Sequence, residues 1–198
     1  MGTLVHRVAD TLMRGLLAMV LVTTVLALTG ATAAGSVQAA PLAVEPREIA
    51  LTLDDLPPGF RISPDISAEG MIAGIGPMYQ VGMLREINEM NLMSGPVFVL
   101  QQVVRLETGL GAGDALTLQR TYWVDRAGYS ISNAGPNDGG TFSLERTEDD
   151  VKTYLLGFIK DNMIIITGAG GVDGVVSYAV LHELASITSA RMDALTGR

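Results

Sequence analysis

Apolar and polar positions alternate in blocks along this chain, and the period of each block predicts an element. Ile49, Leu51 and Leu53 alternate with Ala50 and Thr52, a short strand pattern that Pro57, Pro58 and Gly59 end. Arg61 to Pro77 is glycine-containing and reads as irregular. Tyr79, Val81 and Met83 then set a period of two, with a helix through Met83, Leu84, Ile87 and Met90 as the alternative. Val97 to Glu107 is the clearest strand. Valines and leucines occupy both of its faces, which predicts a central strand covered on both sides.

Asp114 reads as the cap of a helix carrying Leu116, Arg120, Trp123, Val124 and Ala127, stopped by Gly128. Thr141 to Arg146, Lys152 to Ile159 and Met163 to Thr167 read as strands, the last two forming a hairpin about Lys160, Asp161 and Asn162. Gly168 to Gly174 reads as a glycine loop. Ser177 then caps a helix to about Leu195, with Leu181, Leu184, Ala185, Thr188, Met192 and Leu195 on one stripe. The expected fold class is α+β: an antiparallel sheet of about five strands packed against an amphipathic C-terminal helix.

The first 40 residues follow a different grammar. His6, Arg7 and Arg14 precede an uncharged apolar run from Gly15 to Leu28. Small residues follow, and Ala31-Thr32-Ala33 and Val37-Gln38-Ala39 both suit a signal peptidase. Residues 1–40 are therefore expected to be a signal peptide, with an uncleaved anchor as the alternative. Residues 41–47, with two prolines, read as a tether, and 48–198 as a single extracytoplasmic domain. The expected location is secreted, periplasmic or cell-envelope, with membrane contact only through an uncleaved N-terminal segment.

With 21 acidic against 13 basic side chains, a net charge of −8, the chain repels phosphate backbones, so no nucleic-acid partner is expected. It contains no cysteine, and a chain of this length can bury enough apolar surface without disulfides.

Motifs that begin a catalytic or metal site are not completed. His182-Glu183 opens a zinc-protease helix, but the second histidine would stand at position 186, which is Ser186. Gly168, Gly170 and Gly174 miss the spacing of a dinucleotide loop, and no βαβ unit surrounds them. There is no nucleophile elbow. Glu148-Asp149-Asp150 and Asn137-Asp138 lack the alternate spacing of a calcium loop, and Asp54 with Asp55 reads as a turn pair. Met71, Met78, Met83, Met90 and Met93 lack histidine or cysteine helpers for Cu(I), so they read as core or contact surface. Neither cofactor nor metal is expected. The expected ligand or partner contacts are Leu56, Pro57, Pro58, Phe60, Met90 and Met93, where apolar side chains sit on irregular backbone.

Leu53-Asp54-Asp55-Leu56-Pro57-Pro58-Gly59-Phe60 resembles the opening segment of a group of uncharacterised exported bacterial proteins with a Leu-Pro-x-Gly-aromatic pattern. The region from Gly157 to Asn162, with a terminal helix bearing Ala185 and Arg191, is also similar to that group. More loosely, the chain is similar to PsbP-like exported α+β domains. The resemblance implies a lipoprotein or secreted binding domain with no catalytic residues to transfer. This chain lacks the cysteine that lipid attachment needs.

Together these features point to a non-catalytic extracytoplasmic binding or accessory domain for a protein or small-molecule ligand. The alternatives are a secreted carboxylate-dependent hydrolase, which needs two acids facing one pocket about 5–10 Å apart, and an envelope-anchored structural or assembly protein.

Overall fold

The computed structural model describes residues 44–72, 75–107 and 111–198. The leader and the first part of the tether lie outside the described residues. Pro46 and Arg47, placed in the tether by sequence, begin a short helix, α1 (Pro46–Ile49).

The architecture corrects the five-strand α+β expectation. Among the described residues eight strands form one antiparallel sheet, and the helices are few. The strands are β1 (Phe60–Ile62), β2 (Ala68–Ile72), β3 (Gly76–Arg85), β4 (Phe98–Arg105), β5 (Ser130–Ile131), β6 (Thr141–Glu148), β7 (Val151–Lys160) and β8 (Met163–Val172). Their order is β1-β3-β4-β8-β7-β6-β5, with β2 also paired to β3. The other helices are α2 (Glu89–Leu92), α3 (Ala112–Asp125) and α4 (Tyr178–Thr196).

The predicted strands and turns of the second half are present. Asp161 takes a positive φ of 54° in the two-residue β7–β8 turn, and Asp149 takes 52° in the β6–β7 turn. A short acidic side chain tolerates that backbone better than bulkier residues do. Strand β4 is central, between β3 and β8. Phe98, Leu100 and Val104 join the core beneath α3, while Val99 and Val103 pack toward α4 and α1. The chain over 79–85 is strand, so the helix alternative there is discarded.

Four local expectations fail, each for a physical reason. The alternation at 49–53 is not a strand: Ile49 ends α1 and Leu53–Asp55 is a 3₁₀ turn closed by Asp55 accepting from the Thr52 amide at 2.7 Å. Arg61–Pro77 contains β1 and β2, whose residues are mostly exposed and so carry no apolar alternation. The glycine run is not a loop, because Gly168, Gly170 and Gly171 extend β8. A Cβ on Gly170 would lie 2.1 Å from the Phe98 ring, so the ring fills the space of the missing side chain. Helix α3 begins at Ala112 after Gly111, with Asp114 in its first turn rather than at the cap.

Helix α4 matches its prediction closely. Ser177 precedes it, Gly197 ends it at φ 73°, and Leu181, Leu184, Ala185, Thr188 and Met192 are buried. Leu195, placed on that stripe by spacing, is 49 % exposed near the C-terminal end of the helix. Among the described residues no helix is long and apolar enough to cross a membrane.

Candidate functional site

The outer edge of β3 carries two short strands end to end. Phe60, Arg61 and Ile62 of β1 face Arg85, Leu84 and Met83. Ala68 to Ile72 of β2 face Gln80 to Gly76. Each end of this edge presents a distinct surface.

At the β2 end, α1 stands across from the strand. Helix α1 is held in several ways. Glu48 accepts from the Glu45 amide at 2.7 Å, Pro46 supplies a preset φ, and Ile49 is fully buried among Val103, Met163, Ile165 and Met192. Arg105 on β4 donates to the Val44 carbonyl at 3.1 Å and to Glu45 at 2.8 Å, while Glu107 holds its other nitrogen. Just beyond the helix, the Leu51 amide donates 2.7 Å to buried Gln101, which donates in turn to Thr167 and Thr188. Arg191 of α4 donates to the Ala50 carbonyl and to both oxygens of Asp55.

Between this fixed helix and β2 lies an open groove of about 670 Å³. Tyr79, Pro77 and Met78 of β3, Glu69 and Met71 of β2, and Glu45 to Glu48 line it. Glu69 lies opposite Tyr79, and Met71 opposite Pro77, so these four side chains share one face of the sheet. Arg47 reaches across: its guanidinium carbon lies 5.8 Å from the Tyr79 ring centroid, and its Nη1 lies 3.5 Å from Glu69.

The β1 end collects the residues singled out from sequence. Arg85 lies over the Phe60 ring, 6.0 Å from its centroid, and donates to the Ser94 hydroxyl at 2.9 Å. It thereby joins the Pro57-Pro58-Phe60 segment to the α2 turn that carries Met90 and Met93. Leu56 and Phe60 are half-buried against the core under α4, while Pro57 and Pro58 are exposed. Met90 is 80 % and Met93 67 % exposed. No carboxylate among the described residues pairs with Arg85, and its Nε is buried without a partner. The methionines therefore divide: Met78 and Met83 are core, whereas Met71, Met90 and Met93 face outward.

Asp55, Asp138 and Glu145 each make contacts that hold the fold. Asp55 serves Arg191 and the Thr52 turn. Burial pushes its carboxyl up, but the Thr52 amide and the Arg191 guanidinium outweigh that and hold it below the usual carboxylate range. Glu145 accepts from Ser132 at 2.7 Å and pairs with Lys152 at 2.9 Å, which lowers its pKa against a smaller burial effect. These contacts pin β5 to β6 and β7. Asn137 and Asp138 build the turn before β6, bonding Ser143 and Gly140 amides. His182 is exposed on α4.

Sequence reasoning missed Arg47, Glu69, Tyr79 and Arg85. They lie far apart in the chain, and no spacing rule joins a one-turn helix to an edge strand. The Glu-Pro-x-Glu run at 45–48 was the one local signal, since it marks a helix start.

No family model matches the sequence, and no curated protein does. Among solved structures, the extracellular domain of PknH from Mycobacterium tuberculosis is similar, with a TM-score of 0.52 and 12 % sequence identity over 80 % of this chain and 99 % of that one. At that identity the similarity is one of fold: this sheet-and-helix arrangement is also the arrangement of an extracellular domain.

Proposed function

We propose that the chain is a non-catalytic extracytoplasmic binding domain that seats a small ligand in the groove between α1 and β2. The observation that carries this reading is a concavity of about 670 Å³, a size typical of small-molecule sites, whose α1 wall is held by Arg105 on the Val44 carbonyl and Gln101 on the Leu51 amide. The leader pattern and a fold shared with an extracellular domain support the placement outside the cytoplasm. Thermal-shift screening of a mixed small-molecule library is the test. A ligand that stabilises the wild type and is lost on Met71→Trp, which fills the exposed side of the groove, is the expected result. Turnover of an ester, peptide or glycoside that disappears on Glu145→Gln would overturn it.

A second contact is favoured by the exposed methionines around Arg85. Leu56, Pro57, Pro58, Phe60, Met90 and Met93 form a face for a protein partner, with Arg85 as its charged centre. Methionine suits such a surface because it repacks against different shapes. Crosslinking from position 93 in the exported protein tests this face, and the absence of any crosslinked partner would sink it.

A further inference from the structure

We propose that the groove takes a ligand bearing a guanidinium or ammonium group, which seats over Tyr79 in the place Arg47 now occupies. This rests on the groove being the binding site and adds the chemical class of what binds.

Arg47 is an internal example of the ligand chemistry. Its guanidinium lies over the electron-rich face of Tyr79 and beside the Glu69 carboxylate. An aromatic face with an adjacent carboxylate is a general seat for an organic cation. The seat already exists, and the chain fills it with its own side chain.

That side chain is weakly held. Arg47 is 70 % exposed, and an exposed ion pair with a partner that is itself 62 % exposed contributes little in water. Arg105, by contrast, is 13 % exposed and holds Glu45, Glu107 and the Val44 carbonyl together. Arg105 is structural, whereas Arg47 can swing out at small cost.

The surroundings select for positive charge. Glu45, Glu48 and Glu69 line the groove, and with Glu45 paired to Arg105 behind it, Glu48 and Glu69 stand against Arg47 alone, in a chain of net charge −8. An anion would meet the Glu48 and Glu69 carboxylates, while a cation replacing Arg47 recovers the same Glu69 and Tyr79 contacts. Pro46, Met71 and Pro77 add apolar wall. The space exceeds a lone guanidinium, so the ligand has an organic body as well as a cationic head.

Calorimetric titration of the full exported chain tests this, with agmatine and choline as cationic probes and with neutral and anionic compounds alongside. Agmatine is expected to bind the wild type, and Arg47→Ala to tighten it by about two- to fivefold by removing the competing guanidinium. Tyr79→Leu and Glu69→Gln are each expected to weaken it by a similar factor. Tyr79→Phe, which keeps the ring and guards against misfolding of the leucine variant, is expected to retain binding. Unchanged or weaker agmatine binding in Arg47→Ala overturns the proposal. Should neutral or anionic compounds bind and be blocked by Met71→Trp while both cations fail, the cation proposal falls and the binding groove stands. Should no compound of any charge bind, both fall.

Discussion

Arg191, near the end of the last helix, donates to both carboxylate oxygens of Asp55 at 2.8 and 2.9 Å and so ties α4 to the segment that leads into β1. The two residues are 136 positions apart. Their contact, with that of Gln101 to Leu51, holds the chain that follows α1 against the core.

Because the Asp55 carboxyl lies below its ordinary value in the folded chain, it contributes stability that is present above about pH 4 and lost as pH falls through the folded value. Asp55→Asn is expected to cost about 1.5–3 kcal/mol at pH 7, the range for hydrogen bonds to a charged group. Urea unfolding of both proteins from pH 7 to pH 3 checks the sign. The gap between them narrows on acidification, and a constant gap would contradict the assignment.

Gln101 is fully buried, and every bond it makes crosses between elements. Gln101→Leu keeps most of the volume but strands the Leu51 amide. A buried donor without a partner costs about 1–3 kcal/mol, so the urea midpoint falls while the slope is unchanged. Amide exchange at Leu51 rises first, because the amide loses its acceptor.

Gly170→Ala places a methyl group 2.1 Å from Phe98 Cε1. The ring must shift within a packed core, at about 1–3 kcal/mol. Phe98→Leu in the same chain removes that clash, so the double variant loses less than the sum of the two single losses. Gly70→Ala meets nothing within 4 Å and is expected to leave the melting temperature within a degree or two (~0.5 kcal/mol or less).

Dilute peroxide is expected to convert Met71, Met90 and Met93 to sulfoxides well before Met83, Met163 and Met192. The first three are exposed and the last three have no exposed surface. Peptide mapping by mass spectrometry reads the order directly. Early oxidation of Met83 would mean that β3 is not covered as described.

The residue pattern alone determined the elements whose information is local. The β7–β8 hairpin was legible because Asp161 and Asn162 suit a two-residue turn, and α4 because its buried stripe follows the helical period. Strand β4 was legible as central because both of its faces are apolar. Tertiary structure alone decided the rest. Glycines in β8 read as a loop because their side-chain space is filled by Phe98 and Leu155, residues remote in sequence. Strands β1 and β2 were invisible because an edge strand with exposed faces needs only a partner backbone, which pattern does not encode. The groove belongs to the same class: Arg47, Glu69 and Tyr79 meet only because β2 folds back on β3 and Arg105, Gln101 and Arg191 hold the α1 segment beside it. Local preference is set by neighbours along the chain, whereas a site is set by neighbours in space.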